Sequence, residues 1–348
     1  MTGLKGIIGC VLVALLTACG ADKPAAMTDN GWQQYRSQFV STDGAVLDTG
    51  NKNISHSEGQ GYAMMMAVAW GDEAGFHTLW QWTRSHLQVR DDYLFAWSWT
   101  PQEGVQDKNN ATDGDLLIAW ALYQAGRAWG NDEYTALARN IVADIRRLLV
   151  KTVGNNTVLL PGAEGFSSDD LTQINLAYWV YPALEDIATA TADPLWRELI
   201  ASGKRLTHQV SQGSWALPPD WVDLPAGKEP VMAANRPPRF GYEAVRIPLY
   251  LVWSGDYDES VVSNSARFWE TTSKTGVMPA WVDLQNGSRA EYPAPAGFRA
   301  VWELTEKALG KNTTGGVAMI SADLNGQDYY SASLTLLSRM AMQERFSR

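Results

Sequence analysis

Helix-length runs that are apolar on nearly every side alternate with amphipathic ones along most of this chain. Residues 62–70 are apolar almost throughout and are followed by the mixed run 74–87. Residues 113–129 precede 134–150, where Leu137, Ile141, Ile145 and Leu149 form a single stripe. The alternation returns in 171–188 with 195–210, and in 242–253 with 258–274. A helix that is apolar all round must be covered all round, whereas its amphipathic partner can show one face to water. The expected fold is therefore all-α, with an inner and an outer ring of helices. The pairs recur at uneven intervals, so no strict repeat is present. Between them, residues 91–106, 153–170 and 212–238 are long connections rich in Gly, Pro, Asn and Trp, and loops of that length usually carry function. A short strand is expected around residues 157–160.

With 348 residues, 45% of them hydrophobic and 19% charged, the chain can bury a large core and reads as one catalytic-size domain over 31–348. A formal charge of -10 argues against nucleic acid or an anionic membrane surface as partner, since either requires a basic face. A neutral polymer carries no such requirement. Sixteen Trp and thirteen Tyr supply flat surfaces with polar edges, suited to the apolar faces of sugar rings, although most must be core. Residues 1–19 place Lys5 before an apolar run at 6–16 and then Leu16-Thr17-Ala18-Cys19. That is a secretory signal, too short to cross a bilayer. Its end resembles a bacterial lipobox, so cleavage before Cys19 and lipidation of its thiol are expected; the alternative is an ordinary signal peptide cut a few residues later. Residues 20–30 then form a short tether. Both cysteines, Cys10 and Cys19, fall in the leader, which leaves no disulfide and no Cys-based metal site beyond it.

Two motifs suggest chemistry. In Ser55-His56-Ser57-Glu58-Gly59-Gln60-Gly61-Tyr62, an acid stands in the first turn of an apolar helix. Ser55 and Glu58 have the spacing of a capping box, in which the acid only satisfies a backbone N–H. Gly59 and Gly61 are costly inside a helix and suggest that a ligand passes close by. Ala111-Thr112-Asp113-Gly114-Asp115 opens a second apolar helix, with Thr112 or Asp113 as a natural N-cap. Two such helices would aim their N-termini and carboxylates at one end of the fold, and paired carboxylates are what glycosidic hydrolysis requires.

The segments SEGQGYAM at 57–64, KNNATDGDLLIAWAL at 108–122, PPDW at 218–221 and RFGYEAVRIPLY at 239–250 closely resemble glycoside hydrolase family 8. Within it they are similar to the periplasmic endoglucanases that accompany bacterial cellulose synthesis. The resemblance implies an (α/α)6 barrel and inverting, endo-acting, cofactor-free hydrolysis of a β-1,4-glucan, with long loops forming a cleft at one end. It implies Glu58 as general acid and Asp113 as the residue that positions the sugar at the cleavage point, with Asp115 structural. The base falls at Glu243, where the family pattern has Asp; the extra methylene leaves a weakly catalytic glucan-binding protein as an alternative. Asp220 and Asp223 are the alternative bases. Arg246 lies three residues on and could hold Glu243 ionised.

Trp97 is the expected stacking platform, on a strand that would also carry Trp99. Tyr178 or Trp179, Tyr242, and Tyr329 or Tyr330 are further substrate-binding candidates. His56 is expected beside Glu58, and the histidines show no metal-ligand spacing. A monomer is expected, with cellulose synthase as a functional partner; xylan, chitosan and mixed-linkage glucan remain alternative substrates.

Overall fold

The computed structural model describes residues 26–311 and 320–347, so the leader, with Cys19, and most of the tether lie outside the described residues. Eleven α-helices are present among them: α1 (Gly31–Phe39), α2 (Ser57–Ala69), α3 (Glu73–Leu87), α4 (Thr112–Trp129), α5 (Asp132–Leu148), α6 (Tyr181–Thr191), α7 (Pro194–Val210), α8 (Arg246–Ser254), α9 (Ser260–Lys274), α10 (Ala296–Ala308) and α11 (Tyr329–Phe346). Helices α2, α4, α6, α8 and α11 are buried on almost every side. They touch in a closed circuit, α2 to α4, α4 to α6, α6 to α8, α8 to α11 and α11 back to α2, while α10 bridges α8 and α11. The amphipathic α3, α5, α7 and α9 pack outside the circuit, each against the buried helix that precedes it. The inner and outer rings are those expected from the alternation of helix types, and together they form the (α/α)6 arrangement that the family resemblance implied. Helix α1 lies across the seam between α11 and α2, where Tyr35 Oη pairs with Ser333 Oγ at 3.0 Å in the core.

The strands are minor and all antiparallel: β1 (Ser55–His56) with β2 (Ser98–Trp99), β3 (Val150–Val153) with β4 (Asn156–Leu159), β5 (Leu171–Ile174) with β6 (Val222–Pro225) and β6 with β7 (Val231–Met232), and β8 (Arg239–Phe240) with β9 (Val282–Asp283). The strand expected at 157–160 is β4.

Two helix assignments need correction. Residues 171–188 are not one helix: β5 and a single 3-10 turn at Leu176–Tyr178 precede α6, because Leu171 to Ile174 pair with β6 and Asn175 turns the chain by accepting from Ala177 N–H at 3.0 Å. Residues 242–245 form a turn, and α8 starts only at Arg246. The glycines of α2 also have a different reason from the expected ligand. A Cβ at Gly61 would lie 2.5 Å from Leu117 Cβ on α4, and one at Gly59 would lie 2.6 Å from Tyr329 Oη. They permit close packing between buried helices rather than the approach of a substrate.

Candidate active site

Extended backbone at His56 starts α2, and its Nδ1 accepts from Gly59 N–H at 3.1 Å. The imidazole thus caps the helix, in place of the expected Ser55–Glu58 box. Glu58 is left free to point elsewhere. At the start of α4 neither expected cap operates: Thr112 donates to Leu160 O, and Asp113 Oδ1 accepts from the adjacent Gly114 N–H at 2.9 Å. Gly114 sets the distance between the two helix starts. A Cβ there would lie 2.2 Å from Ser57 Oγ and 2.7 Å from Glu58 N, so only glycine lets α2 and α4 meet with both acids at the contact.

Arg246, first residue of α8, joins the acids. Its Nη1 donates to Glu58 Oε1 and, at 3.0 Å, to Asp113 Oδ2; its Nη2 donates to Glu243 Oε2. One guanidinium therefore gathers three carboxylates from three parts of the chain. The nearest oxygens of Glu58 and Glu243 are separated by no more than two hydrogen bonds and the guanidinium width, roughly 8 Å at most. Arg246, expected to bind substrate, is 3% exposed and acts on the site through these acids. Glu58 and Glu243 keep 17% and 33% of their side chains exposed, whereas Asp113 keeps 3% and forms the floor.

Burial raises the acids. Burial, then the charges of Asp220 and Asp113, push Glu243 up to about 8, against a hydrogen bond from Asn175 Nδ2 at 3.0 Å. Burial pushes Asp113 up to about 7 against the Gly114 N–H. Asp220, an alternative base, accepts from Gly241 N–H at 3.0 Å and Ala244 N–H at 2.8 Å, and so holds the turn that carries Glu243. Burial raises it to about 6. Asp223, the other alternative, is 5% exposed and bonded to Gln173 and Ala234, which takes it out of reach of a substrate. Asp115 accepts from Phe95 N–H and Asn110 Nδ2 and pins the loop before α4, a structural role.

The aromatic candidates separate. Trp97 is 40% exposed; its carbonyl accepts from Ser57 N–H at 3.1 Å and its indole N–H donates to Asp107, which places it beside the start of α2. Trp99 does not share that position, since its ring packs edge-on against Trp82 on α3. Tyr242 is 38% exposed, and its carbonyl accepts from the Tyr330 hydroxyl. Trp179 has to be withdrawn: it is wholly buried, with its indole N–H donated to Leu199 O at 3.1 Å. Tyr178 is the one of that pair at the site, its ring 5.6 Å from the Arg246 guanidinium. Tyr329 is likewise core, packed on Tyr35 and Phe39.

The sequence reading missed Asn175, and also the group in which Trp221 stacks on Phe166, meets Tyr178 at 6.2 Å and lies under Arg236. It missed the partners of Tyr62 as well, although Tyr62 stands one helical turn from Glu58 within the quoted motif. That i, i+4 spacing was the available signal.

A ring of helices presenting acids at one end, with exposed aromatic rings around them, defines a hydrolase of glycosidic bonds. Residues 6–344 match glycosyl hydrolases family 8, and the chain belongs to that family. It is 40% identical over 331 residues to a probable endoglucanase of Novacetimonas hansenii, covering 94% of each chain. It is also similar to the solved endo-β-1,4-glucanase of Acetobacter xylinum, at 41% identity and a TM-score of 0.83, over 91% of this chain and 98% of that one. The endoglucanase of Klebsiella pneumoniae, a family 8 glycosyl hydrolase, superposes with a TM-score of 0.83 at 36% identity, over 91% and 99% of the two chains.

Proposed function

We propose that this chain is an inverting endo-β-1,4-glucanase of the periplasm that cuts cellulose chains during their synthesis and export. The observation that carries the reading is the convergence of Glu58, Asp113 and Glu243 on Arg246. Glu58 gives its proton to the glycosidic oxygen as the C–O bond breaks. A water attacks the anomeric carbon from the opposite face and passes its proton to Glu243. Asp113 positions the sugar from the floor, and Trp97, Tyr242 and Tyr330 line its path. The named activities of the relatives support cellulose as substrate, and the occurrence of one relative in Novacetimonas hansenii fits a role beside cellulose synthase.

The test is reducing-end release by the purified domain from carboxymethyl cellulose, xylan and chitosan. Fast loss of viscosity on the first, with the α-anomer as initial product by NMR, is the expected result. Xylan or chitosan as the preferred polymer would overturn the substrate assignment. Binding of cello-oligosaccharides without any hydrolysis would favour the glucan-binding alternative.

Lipidation at Cys19 is the companion proposal. Cys19→Ser should move the protein from the membrane fraction to the soluble one, whereas mass spectrometry showing an unmodified thiol, or cleavage beyond Cys19, would refute it. The several acyl chains of a lipoprotein anchor firmly where one would not.

A further inference from the structure

Helix α2 carries a second polar group into the core beneath the site. Tyr62 lies one turn after Glu58 and is wholly buried, and its hydroxyl donates to Glu58 Oε1 at 2.9 Å. Behind it, at 3.2 Å, stands the hydroxyl of Tyr250 from α8, equally buried. A phenol in an otherwise apolar helix core costs desolvation unless its hydrogen bonds are made, and here they are made to an acid and to a second phenol. Helices α2 and α8 are thus joined at the level of the general acid by a chain of three oxygens.

The two oxygens of Glu58 are consequently unlike. Oε1 receives both the Tyr62 hydroxyl and Arg246 Nη1. Among the described residues, Oε2 takes no hydrogen bond, and His56 Nδ1 stands 4.0 Å from it. That nitrogen cannot donate to it, since its lone pair already accepts from Gly59 N–H. An acid must carry its proton on the oxygen that donors leave open.

We propose that Tyr62, backed by Tyr250, is a positioning residue for Glu58 that keeps Oε1 engaged and leaves Oε2 to carry the proton delivered to the leaving group. The inference rests on Glu58 being the general acid. With the proton on Oε2, Oε1 remains an acceptor, so the Tyr62 bond survives in both protonation states and the carboxyl does not rotate as it titrates. Every hydrogen bond donated to Oε1 also favours the ionised form, so removal of Tyr62 should raise the pKa of Glu58. The other ionisable groups around this carboxyl are Asp113 on α4, Glu243 and Arg246 at the start of α8, His56 and Asp48 on the β1 side, Tyr178 before α6 and Tyr330 on α11.

Tyr62→Phe is the test, read on two substrates. On cellulose oligosaccharides kcat should fall about tenfold with little change in KM, a part of the roughly 10²–10⁴-fold that general acid catalysis supplies. The alkaline limb of kcat/KM should move to higher pH. On a dinitrophenyl cello-oligosaccharide, whose leaving group needs no proton, the loss should largely vanish. Tyr250→Phe removes only the outer hydroxyl and should shift the same limb in the same direction by less, which keeps the test open if Tyr62→Phe fails to fold. A variant that slows both substrates equally, or that leaves the alkaline limb at the wild-type position, overturns the proposal. A wild-type enzyme that hydrolyses no glucan overturns the assignment of Glu58 beneath it, whereas an active wild type with unaltered Tyr62→Phe and Tyr250→Phe overturns Tyr62 alone.

Discussion

Glu243 stands where the family pattern has Asp, and its surroundings show how the longer side chain is accommodated. Asn175 and Arg246 both bond its Oε2, and Asp220 holds the turn from which it projects. Since misplacement by about 1 Å can cost on the order of 10²-fold in rate, the carboxylate has to be held from several sides. Glu243→Ala should nearly abolish turnover, whereas Glu243→Asp should preserve or raise it; full activity in Glu243→Ala would place the base elsewhere. As the proposed base Glu243 would work ionised, so a pKa near 8 should shift the acid limb of kcat/KM above the ordinary glutamate value of about 4.3. A pH profile that breaks near 4 would contradict this. Glu58→Gln should lose about 10²–10⁴-fold in kcat while cello-oligosaccharides still bind, which isothermal titration can check.

Helices α2 and α4 meet along a seam of small residues, and that seam sets the geometry of the acids. Gly61 admits Leu117, and Gly114 admits Ser57 and the backbone of Glu58. Gly114→Ala would gain helix propensity in isolation, by about 1 kcal/mol. In the folded chain its Cβ has no space, and overpacking of this kind costs about 1–3 kcal/mol. The expected result is a lower melting temperature together with a lower kcat, because the two helix starts must separate. A variant as stable and as active as wild type would show that the seam does not position Glu58. The interrupted segment before α6 has the opposite character: β5 and the turn at Asn175 exchange helix for an extended stretch, and the exchange brings Asn175 to Glu243.

At the level of the ring, burial of acids makes stability depend on pH. Asp113, Asp115, Asp220 and Glu243 have folded values of about 7, 8, 6 and 8, all above the unfolded values of about 3.9 for Asp and 4.3 for Glu. Between those limits the folded state binds more protons than the unfolded one. Their contribution is therefore fully present below about pH 4 and is lost as pH rises through 6 to 8. The melting temperature should be higher near pH 5 than near pH 8, and a flat or rising profile by calorimetry would refute the shifts. The N-terminal stretch is secured at the other end of the same ring. Asp29 accepts from the Trp70 indole through its carbonyl at 3.0 Å and from Arg339 through its carboxylate at 2.5 Å. Trp70 ends α2, so the chain enters the ring at the end remote from Glu58. Cys19→Ser should accordingly alter fractionation and leave kcat unchanged.

The class of fold was legible in the chain itself, because whether a helix is apolar on one face or on all is a property of its own residues. Glu58, Asp113 and Glu243 were legible too, as acids in motifs with family resemblance, and Arg246 by its spacing from Glu243. Which of Tyr178 and Trp179 faces the site was not: both were candidates for a sugar contact, and only packing on α7 buries Trp179. Nor could the chain reveal that Gly61 accommodates a leucine rather than a ligand, or that Asn175 reaches Glu243. The contacts of Gly61 with Leu117 and of Asn175 with Glu243 depend on atoms far apart in sequence meeting within a few ångströms. Local periodicity carries no record of such distances, and closure of the ring decided them.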